Sequence, residues 1–107
     1  MITFKVYKKS TGEIVGFDCT GHAGYAEAGY DIFCAAVSTL VINTVNSIDE
    51  LTEDAFKVDS DEDKGILLRV DNPGDKTTLL LNSLVLGVEG IRRDNDGEYI
   101  EIVTEEV

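Results

Sequence analysis

The 107-residue sequence predicts a two-layer α+β domain in which two helices pack against a mostly antiparallel five-stranded sheet. Three observations support this fold class. Five segments alternate apolar and polar residues as half-buried strands do. Two longer segments space their apolar residues three or four apart, as helices do. The order of these segments is ββαββαβ, and the length is that of a single domain spanning residues 1–107.

The first half of the chain predicts a hairpin followed by a helix. Residues 2–8 alternate in polarity, "STGE" forms a turn, and "IVGFDCT" is the partner strand. A glycine-rich connection then runs from Gly21 to about Tyr30. We expect the first helix to begin at Asp31, a good N-cap residue. Its apolar stripe consists of Val37, Leu40, Val41, Val45 and Ile48.

The second half predicts another hairpin, a second helix and a last strand. "AFKVDSDEDKGILLRVDN" is a hairpin that turns at Glu62–Gly65, and Asp75 of the turn "NPGD" caps the second helix. "DNDGEYIEIV" is a turn and an alternating strand. The apolar stripe of the second helix consists of Leu80, Leu81, Leu84, Val85, Val88 and Ile91. Leu79 and Leu86 fall outside it, which indicates either a subunit contact or a deeply buried helix.

The composition excludes several classes of function. Asp and Glu number 21 against 9 Lys and Arg, for a formal charge of -12, so direct nucleic-acid binding is disfavoured. The acidic surface either keeps the protein in solution or attracts a basic partner. The apolar runs are too short to cross a membrane. The N-terminus "MITFKVYKK" does not have the order of a signal peptide. We therefore expect a cytoplasmic protein with free thiols.

The stretch "CTGHAGYAEAGYDIFCAAVS" contains the single histidine and both cysteines. Cys34 is expected in the first helical turn, where the helix dipole and free N–H groups favour the thiolate. If the glycines let the connection fold back, His22 can act as general base for this thiol. The Cys34 N–H and a loop amide could form an oxyanion hole. Asp31 opposes the thiolate unless it caps the helix or orients His22.

Other interpretations of these residues remain open at this point. A helical cysteine is often a small buried hydrophobic residue, and Cys19 within a strand fits packing. Zinc is poorly supported because no C-x-x-C or H-x-x-x-H is present, so we expect neither metal nor cofactor. A redox sensor would oxidise Cys34 to a sulfenate that Cys19 resolves. A non-catalytic binding module is the remaining class.

The segment "GHAGYAEAGYDIFCAAVS" resembles the signature of the bacterial ribosomal-processing cysteine protease family. That signature is Gly-His-Ala, a spacer, Gly-x-Asp and x-x-Cys-Ala-x-x-Ser. The match runs through 18 contiguous residues without a gap, and the chain length and element order are also similar. The matching positions are Gly21, His22, Ala23, Gly29, Asp31, Cys34, Ala35 and Ser38.

The resemblance implies a specific activity. Family members remove a short N-terminal extension from a large-subunit ribosomal protein, with Cys34 as nucleophile and His22 as its catalytic partner. It implies a homodimer, a glycine-rich segment that covers the site when the peptide binds, and Ser38 as a hydrogen-bonding group near the sulfur. Gly21, Ala23, Gly29 and Asp31 would support the site or the substrate loop. The alternative is an acidic ribosome-associated module that binds a basic tail without cutting it.

Overall fold

The elements of the computed structural model follow the predicted order. The structure describes residues 1–21, 30–61, 65–94, 97 and 99–107, and of residues 30 and 31 the backbone only. Five strands and two helices lie within these ranges. Their bounds are β1 Ile2–Lys8, β2 Ile14–Thr20, α1 Tyr30–Leu51, β3 Phe56–Asp61, β4 Gly65–Val70, α2 Asp75–Asp94 and β5 Ile100–Glu106.

The strands form one five-stranded sheet in the order β3-β4-β2-β1-β5. The three pairs among β3, β4, β2 and β1 are antiparallel, whereas β5 lies parallel to β1. The sheet is therefore mixed but mostly antiparallel, and the predicted α+β class is confirmed. The hairpin turn predicted at Glu62–Gly65 falls largely on residues 62–64, which lie outside the described residues.

One face of the sheet carries the core. The alternation in β1 buries Ile2, Phe4 and Val6, and the ring of Phe4 stacks on that of Phe17 with centroids 5.6 Å apart. Cross-strand neighbours point to the same face of a sheet. The register places Phe4 beside Cys19 in β2, so Cys19 belongs to this buried face.

The apolar stripes of both helices lie where the periodicity predicts. Val37, Val41 and Ile48 of α1 are buried, as are Leu81, Leu84 and Val88 of α2; the other stripe residues pack against them. The two residues left outside the α2 stripe are exposed, Leu79 by 70% and Leu86 by 64%. A deeply buried second helix is therefore wrong, because these leucines face away from the core.

Both helices begin earlier than the predicted N-caps require, α1 by two residues and α2 by one. The N–H of Thr78 donates to the Gly74 carbonyl at 2.9 Å, so Gly74 occupies the cap position and Asp75 lies in the first turn of α2. In α1 the backbone is helical from Tyr30, which places Asp31 within the helix. An acidic residue in the first turn meets the positive end of the dipole as a cap does, so composition alone does not separate the two positions.

Helix α1 corrects the expectation that no segment is long and apolar enough to cross a membrane. Residues Ile32–Leu51 meet that criterion, with a mean hydropathy of 1.4. The sequence shows no charge from residue 32 to residue 48, although Ser, Thr and Asn keep the purely apolar runs short. A helix packed on a protein core passes the same test, so the observation is weak support for membrane insertion.

Candidate active site

Cys34 lies at the start of the second turn of α1. It follows Tyr30, the first helical residue, by four positions, so the expectation of a first-turn thiol is wrong by one residue. The side chain is half-buried, forms no disulfide and packs against the hydrophobic core. Cys34 is therefore not sealed in the interior, which a nucleophile for a peptide bond requires.

The backbone N–H of Cys34 has a hydrogen-bond acceptor within α1. An α-helix that includes Tyr30 pairs the N–H four residues later with the Tyr30 carbonyl. The expectation that the Cys34 N–H contributes to an oxyanion hole is therefore wrong for this conformation. The reason is the earlier start of α1, since only the amides of the first turn lack an intrahelical acceptor.

An aromatic pair anchors the helix next to Cys34. The ring of Phe33 stacks on Tyr99 with centroids 5.6 Å apart and planes inclined by 29°. The carbonyl of Tyr99 accepts a hydrogen bond from the N–H of Ile2 at 2.8 Å. The stacked ring thus ties the start of α1 to the end of the sheet where β1 and β5 begin.

Gly21, directly after β2, has a conformation that requires glycine. Its φ is +87°, and a Cβ built at this position would collide with the carbonyl oxygen of Met1. Both features exclude other residues here, because a side chain makes the left-handed backbone costly and would also clash with Met1. The glycine that precedes the histidine of the motif is therefore required by the backbone.

Cys19 is a core residue near Cys34. It is 1% exposed, and burial raises the pKa of its thiol to about 12, with smaller contributions from the nearby Cys34 and Asp18. The predicted packing role is confirmed. The redox interpretation is disfavoured because a thiol with this pKa provides almost no thiolate to resolve a sulfenate. Cys34 is among the groups that raise this pKa, so the beginning of α1 lies near the end of β2.

Only part of the motif is placed. His22, Ala23 and Gly29 lie outside the described residues, as does the side chain of Asp31. The pairing of His22 with Cys34 and the roles of the other three therefore stay predictions. Ser38 is half-buried on α1, one turn after Cys34 on the same side of the helix. Its predicted position near the sulfur agrees with this helical spacing.

An open cavity elsewhere in the molecule is too distant to be part of this site. It has a volume of about 700 Å³ and lies between the end of α1 and the start of α2. Glu50, the lining residue nearest to Cys34 in the sequence, follows it by sixteen positions, roughly 24 Å along the helix. Within the described ranges, no three His, Cys, Asp or Glu residues are grouped so as to hold a metal ion.

A family model described as cysteine protease Prp matches residues 1–101. The chain belongs to the Prp cysteine protease family. The match includes both cysteines, the segment between them and every element up to the start of β5. The protein is therefore a cysteine protease, in agreement with the resemblance carried by the motif.

Two Prp relatives support the assignment over nearly the whole chain. The ribosomal processing cysteine protease Prp of Bacillus subtilis is 31% identical over 100 residues, 88% of this chain and 89% of that protein. The protein of the same name from Staphylococcus aureus is 28% identical over 96 residues, 88% of this chain and 91% of its own length.

Solved Prp structures share the fold. The Staphylococcus aureus ribosomal processing protease Prp in complex with a substrate peptide superposes with a TM-score of 0.91 at 25% identity, covering 98% of this chain and all of that one. The same protease with a covalently linked product peptide gives a TM-score of 0.86 at 26% identity, with the same coverage. A Streptococcus mutans protein gives 0.85 at 29% identity, covering 100% of this chain and 96% of its own.

Two features of the Prp site were missed by the sequence analysis. The stacking of Phe33 on Tyr99 joins residues 66 positions apart, and neither lies in a pattern that signals the contact. The approach of Cys34 to Cys19 was considered only as a redox crosslink. The position of Cys19 in an alternating strand was a signal that it lies near Cys34, because this strand leads directly into the motif that contains Cys34.

Proposed function

We propose that this protein is a cysteine endopeptidase that removes the N-terminal extension of a large-subunit ribosomal protein, with Cys34 as nucleophile. The observation that carries the proposal is the position of Cys34, half-buried at the start of α1 and close to the end of β2. It is supported by the names of the curated relatives and by the peptide complexes of the Staphylococcus aureus protease.

The proposed reaction proceeds through a thioester. His22 takes the proton of Cys34, and the sulfur attacks the carbonyl carbon of the scissile peptide bond. The C–N bond then breaks, and the imidazolium returns the proton to the departing amine. Water, deprotonated by the same imidazole, hydrolyses the thioester and releases the new carboxylate and the free thiol. No metal or cofactor takes part in this scheme.

His22 is the general base of this proposal for two reasons. It is the single imidazole in the sequence, and imidazole is the side chain whose ordinary pKa suits proton transfer near neutral pH. It also follows Gly21 directly in the sequence, and Gly21 comes immediately after β2, the strand that carries Cys19. Gly21, Ala23, Gly29, Asp31 and Ser38 are proposed to support the site or the substrate loop.

The proposed partner is the basic N-terminal tail of the ribosomal protein, which the net charge of -12 favours. We expect a cytoplasmic homodimer that binds neither nucleic acid nor membrane. The exposed Leu79 and Leu86 of α2 are available for the subunit contact. Light scattering of the purified protein, compared with a Leu79→Asp, Leu86→Asp variant, tests this expectation.

The decisive experiment uses a peptide that spans the extension junction of the cognate ribosomal protein. The wild-type protein and Cys19→Ala are expected to cleave it, whereas Cys34→Ala, Cys34→Ser and His22→Ala are expected to lose activity by about 100-fold or more. Mass spectrometry should detect the acyl adduct on Cys34. Cleavage that survives in Cys34→Ala overturns the proposal. Tight binding of the intact peptide with no cleavage would support the non-catalytic module instead.

A further inference from the structure

A narrow uncharged groove lies between α1 and the outer strands of the sheet. Its volume is about 170 Å³, and its lining residues are Ile42, Val45, Asn46, Val58, Ser60 and Ile66. Ile42 on α1 and Val58 on β3 both line it, and they are 50% and 47% exposed. In a chain with 28% charged residues, an uncharged lining on both walls is a distinct surface.

The helical wall of this groove continues the side of α1 that carries the nucleophile. Cys34, Ser38 and Ile42 are spaced by four residues, so they follow one side of the helix in consecutive turns. Eight residues separate Cys34 from Ile42, which is about 12 Å along the axis. An extended peptide advances about 3.3 Å per residue, so this distance corresponds to roughly four substrate residues.

The sheet wall of the groove also leads to the nucleophile. Ile66 of β4 pairs with Cys19 on one side and with Ser60 of β3 on the other. Adjacent strands lie about 4.8 Å apart, so Ile66 is one strand away from Cys19. Cys34 is near enough to Cys19 to influence its thiol electrostatically. Lys57 and Asp59 alternate with the lining residues of β3 and therefore point to the opposite face.

We infer that this groove binds an apolar side chain of the peptide substrate about four residues from the scissile bond. The occupant is the substrate because one wall belongs to the helix that carries Cys34 and the other belongs to strands of which β4 pairs with β2, the strand that carries Cys19. The volume suits one aromatic or large aliphatic side chain, since an apolar cavity of about 150 Å³ accommodates benzene. The uncharged lining selects against a charged side chain, whose desolvation no partner would offset. This inference rests on the proposed protease function.

The test compares two neighbouring positions of α1. Ile42→Asp places a carboxylate in the groove, whereas Asn43→Asp places one on an exposed position that does not line it. With the junction peptide we expect Ile42→Asp to raise KM roughly tenfold or more and to change kcat by less than about twofold. Asn43→Asp should leave both constants near the wild-type values. Replacing the apolar substrate residue by Asp should raise KM in the wild type and have little further effect in Ile42→Asp.

The outcomes separate this inference from the proposed function. If the wild type cleaves the peptide and Ile42→Asp leaves KM unchanged, the groove assignment is wrong and the protease proposal stands. If no cleavage occurs, fluorescence anisotropy with the labelled intact peptide in a Cys34→Ala background tests the groove alone. Loss of affinity in Ile42→Asp then supports it, and equal affinity overturns it. A change of subunit number in Ile42→Asp alone would assign the groove to a second copy and also overturn the inference.

Discussion

At the scale of single residues, the two cysteines differ because their surroundings differ. Cys19 is enclosed by the core, and its thiol stays protonated because burial penalises the thiolate. Cys34 is half-buried at the border of the same core, where a peptide can reach it. One residue therefore packs the sheet while the other is available for chemistry, although both lie in the same short stretch of sequence.

This difference predicts selective alkylation. At about pH 8 a thiol with a pKa of about 12 is ionised in roughly one molecule in ten thousand. Iodoacetamide should therefore modify Cys34 first and reach Cys19 only after denaturation. Peptide mapping by mass spectrometry with and without guanidinium measures this. Modification of Cys19 in the folded protein at a rate equal to that of Cys34 would contradict it.

Gly21 offers a second test at the residue scale, with Gly12 as a matched control. Their φ angles are +87° and +89°, but a Cβ at Gly12 meets nothing within 4 Å whereas one at Gly21 meets the Met1 carbonyl. Gly12→Ala should lower the free energy of unfolding by about 1 kcal/mol through backbone strain alone. Gly21→Ala should lower it further and also reduce kcat/KM. Urea denaturation and peptide cleavage check both effects, and equal behaviour of the two variants would contradict the contact.

At the scale of elements, a polar network joins the end of α1 to the start of α2. The Thr52 hydroxyl donates to the Ile48 carbonyl at 2.7 Å and accepts the Asp54 N–H at 3.2 Å. A carboxylate oxygen of Asp54 accepts the Gly74 N–H at 2.8 Å, at the beginning of α2. These hydrogen bonds connect the C-terminal end of α1, where Thr52 binds the last turn, to Gly74, the N-cap of α2.

The network predicts a pH-dependent contribution to stability. Hydrogen bonds from the Thr77 hydroxyl and the Gly74 N–H lower the pKa of Asp54 from its ordinary value of 3.8. Because the folded state favours the carboxylate, its stabilising effect is present above pH 3.8 and is lost as the pH falls through the lowered pKa. Asp54→Asn should be less stable than the wild type at pH 7, and the difference should shrink in acid.

Urea denaturation at neutral and acidic pH measures this difference. Asp59→Asn is the control for removal of one negative charge, because Asp59 lies exposed on β3. It should show no comparable loss at pH 7. A difference between Asp54→Asn and the wild type that stays constant down to strongly acidic pH would contradict the role of the ionised carboxylate.

At the scale of the whole molecule, the net charge of -12 gives the protein a negative potential toward charged partners. For a basic substrate tail this potential raises the association rate, and salt screens it. We expect kcat/KM for a basic junction peptide to fall as NaCl rises from about 50 mM to about 500 mM, where the Debye length shortens several-fold. A peptide with its lysines replaced by glutamine should show a much weaker salt dependence. Equal salt dependence of the two peptides in the cleavage assay would contradict the steering.

The sequence by itself determined the element order, the apolar stripes and the protease motif, because each is a local pattern of period two, of period three to four, or of fixed spacing. Val41 and Leu84 are buried as their spacing predicts. The helices begin earlier than predicted, α1 by two residues and α2 by one, since acidic residues suit both the cap and the first turn. Only the tertiary structure decided the parallel pairing of β5 with β1, the approach of Cys34 to Cys19, and the groove between Ile42 and Val58. These contacts join segments that are distant in the chain, and they form because burying the shared core brings the segments together, which no local spacing encodes.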